Sequence, residues 1–124
     1  MATMQPDIFR VRISALTGFF AILLGAMGAH GPLHEKLKAA GELAHWETAV
    51  QYHLPHAVVL LLLAVLPGPT SWAWRMILSG VILFSGSLYL LAFTGVKVLG
   101  AITPLGGLSL MIGWLLAGFS LRKK

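Results

Sequence analysis

The sequence predicts an all-α integral membrane protein, a four-helix transmembrane bundle with a short outer amphipathic segment between helices 1 and 2. Of its 124 residues, 57% are apolar and only 10% are charged, and the mean hydropathy is +0.84. A soluble domain carries about 25% charged residues, and a chain this apolar would expose more apolar surface to water than soluble monomers tolerate. The same composition excludes a disordered chain, because disordered chains are poor in apolar residues. The absence of cysteine excludes a disulfide scaffold and a thiolate metal site.

Charged residues and turn signals divide the chain into four long apolar runs. Lipid cannot satisfy open backbone groups, and four spans are too few for a barrel, so each run is expected to be a helix. Even the shortest run, the 17 residues 13–29, would be about 26 Å long as a helix, which is enough for a short span. We therefore expect a single membrane domain over residues 1–124, with spans at approximately 13–30, 48–66, 76–94 and 103–121.

Prolines and mixed charges refine these boundaries. Thr103 followed by Pro104 is typical of an N-cap and a first helical residue. Pro55 falls inside the second run and lacks an amide hydrogen, which predicts a kink or a break there. Residues 32–47 mix charges with leucines, so this segment is predicted to be an amphipathic helix on the outer surface.

The basic residues predict an orientation. Six of them fall on the side that holds both termini and three on the other side, so the positive-inside rule predicts cytoplasmic termini in a bacterial inner membrane. The net charge of +5 could suggest a nucleic-acid partner. The basic residues are scattered without interleaved aromatics, so no nucleic-acid binding is predicted. A cleaved signal peptide is the competing interpretation of residues 10–29. A retained helix is favoured, since the apolar run is longer than a usual signal sequence.

Small residues recur at helical spacing in three of the runs. The fourth run carries a single stripe of Gly106, Ser109, Gly113, Ala117 and Ser120. Such stripes are the normal contacts between membrane helices, and this interpretation is favoured over a substrate path. The lipid bilayer is the expected partner, and a homo-oligomer or a larger membrane complex is compatible with the stripes.

All five histidines lie between positions 30 and 56, together with three of the four acidic residues. Ionisable residues inside spans are functional candidates by default. No catalytic residue is predicted, because the sequence contains none of the motifs for nucleophilic, phosphate-binding or zinc-protease chemistry. The candidate ligand or functional cluster comprises His30, Trp46, Gln51, Tyr52, His53, His56 and Tyr89.

Helix geometry limits which histidines can act together. His45 and His53 are about 12 Å apart along a helix, too far to share one metal ion, whereas His53 and His56 are three residues apart. These two, with the Gln51 carbonyl that Pro55 frees and with His30, form the metal or haem hypothesis. In the simpler interpretation, His53 and His56 donate to backbone oxygens or to Tyr89. A proton-sensing role is a further alternative.

Several motifs together resemble the YgdD-like membrane family, domain of unknown function 423. They are residues 25–31 (GAMGAHG), 46–57 (WETAVQYHLPHA), 84–90 (FSGSLYL) and 99–107 (LGAITPLGG). The resemblance covers residues 13–119, and Pro55 departs from it, because that position is typically methionine in the family. It implies a small four-helix inner-membrane protein of bacteria with no established reaction.

The sparse polar inventory favours a non-enzymatic membrane protein that supports membrane integrity, lipid organisation or a larger complex. The alternative is a binding site for haem, a metal ion or a quinone built on the outer-side histidines. Transport is the least favoured hypothesis, because 124 residues make a narrow bundle. No cofactor is predicted beyond the haem, metal ion or quinone of that alternative.

Overall fold

The structure is a computed structural model that describes residues 5–120, and this part of the chain is almost entirely helical. Its helices are α1 (Ile8–Ala29), α2 (Gly31–Ala40), α3 (Leu43–Val65), α4 (Ser71–Thr94) and α5 (Thr103–Phe119), with a 3-10 turn at Lys97–Ala101 before α5. Four segments are long and apolar enough to cross a membrane: α1, α3, α4 and the turn with α5. The predicted fold class is thereby confirmed.

Helix α1 begins five residues before the expected span. The Asp7 carboxylate accepts hydrogen bonds from the backbone N–H groups of Phe9 (3.0 Å) and Arg10 (3.4 Å), which caps the helix at Ile8. Charge alone does not end a helix, since long basic side chains can extend toward the membrane surface while their backbone stays helical. The length of the uncharged run therefore underestimates the length of helix α1.

Helix α2 is the predicted amphipathic segment, but it is shorter than residues 32–47. It ends at Ala40 because Gly41 adopts a left-handed conformation (φ 72°), and the Gly41 N–H bonds the carbonyls of the last turn. The chain then re-enters a helix at Leu43, so the rest of the expected segment belongs to α3. Leu37 is fully buried and holds α2 against the bundle.

Helix α3 continues through Pro55 without a break. Of the two predicted alternatives, the break is therefore wrong, and the kink stays a prediction. Both Pro55 and Gln51, whose carbonyl would have accepted the missing hydrogen bond, are exposed. The disturbance thus lies on the face of α3 that does not pack into the bundle.

Helices α3 and α4 form the centre of the bundle, with α1 packed on α3 and α5 packed on α4. The contact between α4 and α5 is the closest one. A Cβ atom at Gly113 would lie 2.6 Å from Ile77, and one at Gly106 would collide with the backbone of Phe84. The Ser109 hydroxyl also donates to the Met76 carbonyl across this contact (2.7 Å). The interpretation of the α5 stripe as a helix contact is confirmed.

Thr103 does not cap α5 as predicted. It lies inside the helix, and Ile102, which precedes it, offers no side-chain cap. The Thr103 hydroxyl instead pairs with the Ser87 hydroxyl of α4 at 2.6 Å. Pro104 does occupy the first turn, as expected. The threonine was misassigned because a hydroxyl inside a membrane bundle can gain more from a partner on another helix than from its own backbone.

Buried polar side chains in the described part of the chain are paired within the protein. The Trp74 indole donates to the Ser14 hydroxyl (2.9 Å), and the Ser85 hydroxyl donates to the Ala49 carbonyl (2.8 Å). Among residues 5–120, no buried side-chain nitrogen or oxygen lacks a hydrogen-bond partner. Lipid offers no substitute partner, so this pairing is what a membrane bundle requires.

Candidate functional site

The central feature of the site is a hydrogen bond between His53 of α3 and Tyr89 of α4. The His53 Nδ1 atom lies 2.9 Å from the Tyr89 hydroxyl, and the two rings meet edge to face with their centroids 5.7 Å apart. His53 is only 6% exposed. The backbone of Thr17 adjoins the other side of the imidazole. Three helices, α1, α3 and α4, therefore surround this one side chain.

Trp46 packs beside this pair, one helical turn or more toward the α2 end of the bundle. Its ring centroid lies 4.7 Å from that of Tyr89, and its indole N–H donates to the Leu24 carbonyl of α1 at 2.9 Å. Gly28 makes this approach possible, because a Cβ atom there would collide with the indole. Trp46 thus joins α3 to α1 through its hydrogen bond and packs against the Tyr89 ring.

A groove between α1 and α4, which we call the α1–α4 groove, has His53 and Tyr89 among its lining residues. Its volume is about 500 Å³. Apart from Thr17, whose hydroxyl bonds the Ile13 carbonyl, and Ser85, already bonded to Ala49, the other lining residues are apolar. The walls include Leu16, Phe20 and Leu24 of α1 and Val81, Ile82 and Gly86 of α4. Leu16, Phe20 and Ile82 are exposed, so the groove lies on the surface that would face lipid.

His56 has entirely different surroundings. The Trp114 indole N–H of α5 donates to His56 Nε2 at 3.0 Å, and His56 Nδ1 lies 2.6 Å from the Tyr52 carbonyl. An indole nitrogen can only donate and a carbonyl can only accept. His56 must therefore be neutral with its hydrogen on Nδ1, and both ring nitrogens are engaged.

The seven residues predicted as one cluster occupy separate places. His53, Tyr89 and Trp46 are together on the α1 side of α3, whereas Tyr52 and His56 are stacked on the α5 side, with Tyr52 against Phe84. The other two are exposed and apart: His30 lies at the junction of α1 and α2, and Gln51 lines a cavity of about 290 Å³ beside Glu47.

The histidines do not converge on a common centre. Within residues 5–120, no group of three or more His, Asp or Glu side chains is placed to hold a metal ion. The three histidines proposed as ligands, His30, His53 and His56, face different surroundings. The remaining two are used locally: His34 Nδ1 lies 2.8 Å from the Gly28 carbonyl, and His45 Nδ1 lies 2.7 Å from a Glu42 carboxylate oxygen.

Sequence reasoning missed Trp114, which completes the environment of His56. A signal was present, because Trp114 is the one tryptophan in the middle of an uncharged run. An indole N–H at that depth needs an acceptor inside the bundle, since lipid provides none. An imidazole nitrogen on a neighbouring span was an available acceptor.

The four apolar helices and the internally paired polar groups define a small polytopic α-helical membrane protein. The family model described as "Protein of unknown function (DUF423)" matches residues 24–107, which include His53, His56 and Tyr89. The chain belongs to this family, and the resemblance seen in the sequence motifs is confirmed.

Relatives named as membrane proteins match along most of the chain. A UPF0382 membrane protein of Staphylococcus aureus (strain bovine RF122) is 44% identical over 108 residues, covering 84% of this chain and 87% of its own length. The UPF0382 membrane protein YwdK of Bacillus subtilis (strain 168) is 42% identical over 110 residues, covering 84% and 88%. No solved structure matches.

Proposed function

We propose that this protein is a non-enzymatic protein of the bacterial plasma membrane that holds a membrane-dissolved, lipid-like molecule in the α1–α4 groove. The observation that carries the proposal is the His53–Tyr89 pair, a polar anchor placed among apolar walls on a lipid-facing surface. Binding of such a molecule would serve lipid organisation or the assembly of a larger complex.

The groove has the properties of a site for a small ligand. Ligand pockets typically measure about 300–1,000 Å³ and are mostly apolar, with a few polar groups that orient the ligand. The α1–α4 groove, at about 500 Å³, lies within this range. A ligand dissolved in the bilayer can enter laterally between α1 and α4, whose backbones are not closely packed and which are joined by the Trp74–Ser14 hydrogen bond near the start of α1.

A non-enzymatic role is supported by the state of the other polar groups. His56, Ser85 and Ser109 are each bonded to groups of the protein itself, so their hydrogen-bonding capacity is spent on holding helices together. Among the described residues, the lining of the α1–α4 groove includes no carboxylate, lysine or arginine, and its one imidazole, His53, is bonded to Tyr89. Binding and packing are therefore better supported than acid–base chemistry.

The orientation with cytoplasmic termini remains part of the proposal. Arg10 and Arg75 lie toward the end of the bundle where α1 begins and α5 ends, whereas Lys36 and Lys97 lie toward the α2 end. The three basic residues at positions 122–124, which also support the predicted orientation, lie outside the described residues. Reporter fusions at each terminus should be active only with cytoplasmic reporters.

Haem or metal ligation has less support, because His30, His53 and His56 lie in different surroundings and do not converge on one centre. An absorption spectrum and a metal analysis of the purified protein address this alternative directly. A haem band or a stoichiometric metal would overturn the proposal of a lipid-like ligand.

The decisive experiment compares molecules that co-purify with the protein in nanodiscs with those in empty nanodiscs, using mass spectrometry. Gly86 lines the groove, and a Cβ atom there would meet nothing within 4 Å, so Gly86→Leu should fill the groove without disturbing the helices. Gly118→Leu is the matched control, because Gly118 also has open space around it but lies outside the groove.

We expect one class of lipid-like molecule to be enriched with the natural sequence and with Gly118→Leu, and to be lost with Gly86→Leu. Equal enrichment in the two leucine variants would place the molecule elsewhere. No enrichment over empty nanodiscs would refute the proposal.

A further inference from the structure

We propose that the molecule held in the α1–α4 groove belongs to the quinone class, and that the His53–Tyr89 pair binds both its oxidised and its reduced form. This inference rests on the proposed function, since it names the chemical class of the ligand in the same groove. It concerns binding only and includes no electron transfer by the protein.

The first argument is the hydrogen-bonding capacity of the pair. A neutral imidazole has one donor and one acceptor, and a phenol has one donor and two acceptor positions. The Tyr89 hydroxyl can donate to His53 Nδ1, or it can accept from the Nδ1 hydrogen of the other tautomer, across the same 2.9 Å. In the first arrangement the phenol oxygen is free to accept, and in the second its hydrogen is free to donate. The Thr17 backbone beside the other imidazole nitrogen favours the first arrangement, so the reduced form should bind more tightly than the oxidised form.

These two arrangements match the two forms of a quinone. A quinone carbonyl needs a donor, which the second arrangement provides through the Tyr89 hydroxyl. A quinol hydroxyl needs an acceptor, which the first arrangement provides through the same oxygen. Neither arrangement changes the charge of the protein, so no ion has to be formed within the bilayer.

The second argument is the depth and neutrality of the anchor. Tyr89 lies five residues before Thr94, the last residue of α4, which is about 7.5 Å along the helix axis. The groove contains no lysine or arginine that could pair with a phosphate. A phospholipid headgroup is therefore poorly suited to this position, and a saturated acyl chain would leave the remaining hydrogen-bonding capacity of the Tyr89 hydroxyl unused.

The third argument is the shape of the wall next to the anchor. Gly86 and Tyr89 are three residues apart and therefore share one face of α4. The space above Gly86 is open for at least 4 Å around a Cβ position. A flat ring can thus lie against the backbone of α4 while one of its oxygens reaches the Tyr89 hydroxyl, and an apolar tail can follow the groove into lipid.

The test uses three probes that share a ten-carbon tail: a decyl-substituted benzoquinone, its quinol and decylbenzene. The chain contains only two tyrosines, Tyr52 and Tyr89, on opposite sides of α3. Labelling with 3-fluorotyrosine in nanodiscs therefore gives two fluorine resonances, which Tyr52→Phe assigns. Tyr52 then serves as an internal control for nonspecific changes in the bilayer.

We expect the quinone and the quinol to shift the Tyr89 resonance saturably, with little effect on Tyr52 and with no saturable shift from decylbenzene. Gly86→Leu should abolish the shift and Gly118→Leu should preserve it. In thermal unfolding, Tyr89→Phe should weaken the stabilisation by both redox forms about 5–10-fold in apparent affinity, the effect of losing one hydrogen bond.

The possible failures are distinguishable. If decylbenzene binds as well as the quinone and Tyr89→Phe has no effect on affinity, the groove holds a hydrophobic molecule without recognising its oxygens, which overturns only the quinone assignment. If no probe binds and nothing co-purifies with the protein, both this inference and the proposed function fail.

Discussion

His53 and His56 are three residues apart on the same helix, and both are buried, yet they face opposite halves of the bundle. His56 is enclosed by two protein groups, the Tyr52 carbonyl and the Trp114 indole, and it joins α3 to α5. His53 has one hydrogen-bonded side chain, Tyr89, and lines an open groove toward α1. The Thr17 backbone adjoins the other side of His53, so the number of partners does not distinguish the two histidines. What separates the structural histidine from the candidate binding group is that His53 lines an open groove and His56 does not.

The largest expected effect is a loss of stability at the contact between α4 and α5, which should leave the α1–α4 groove intact. Gly106→Leu would place a side chain against the backbone of Phe84 and force α5 away from α4. We expect a loss of about 3 kcal/mol or more in the free energy of unfolding, as for severe overpacking. Unfolding in bicelles measures it, and ligand occupancy of the α1–α4 groove should survive in the folded fraction.

Gly107→Leu is the matched control for this prediction. A Cβ atom at Gly107 lies 3.6 Å from the Phe84 ring, which is an ordinary contact. An equal loss of stability in both variants would contradict the role assigned to the close approach at Gly106.

A smaller effect is expected at His56 itself. His56→Leu removes two hydrogen bonds and leaves the Trp114 indole N–H without an acceptor, so the free energy of unfolding should fall by about 2 kcal/mol. Trp114→Phe alone should cost about 1 kcal/mol. In the double variant the costs should not add, because both substitutions remove the same hydrogen bond. Full additivity would show that the bond contributes nothing to stability.

The smallest change in stability is expected on the other side of α3. Tyr89→Phe removes one hydrogen bond but leaves the ring packed on Trp46, and interhelical hydrogen bonds in membranes contribute about 0.6 kcal/mol on average. The free energy of unfolding without ligand should therefore fall by less than about 1 kcal/mol, while retention of the groove ligand falls sharply. A larger loss of stability than for His56→Leu would reverse the comparison between the two sides.

The sequence predicted the fold well because lipid imposes simple requirements on it. Uncharged runs of sufficient length located the four long apolar helices, and the errors lay at the helix ends, where the Asp7 cap and the conformation of Gly41 decide the boundary. The composition of each run determines that it crosses the membrane. It does not determine the residue at which the helix begins.

The candidate site could be predicted only in part. Helix periodicity placed His53 and His56 about 60° apart on α3, which was close enough to suggest one shared centre. The angle of about 60° separates the two histidines because α1 packs beside His53 and α5 packs beside His56. The order of helices around α3 cannot be read from the periodicity of any single segment. The partner of His56 was missed for the same reason, since Trp114 lies 58 residues away in the chain.

The contact between Trp46 and Gly28 has a consequence for the evolution of this protein. Any side chain at position 28 would occupy the volume of the indole ring, and any smaller residue at position 46 would leave a void and release the Leu24 carbonyl from its second donor. Neither residue can therefore be exchanged alone without loosening α1. Relatives that carry a bulkier residue at the first position should carry a smaller one at the second, so that the two sites change as a linked pair.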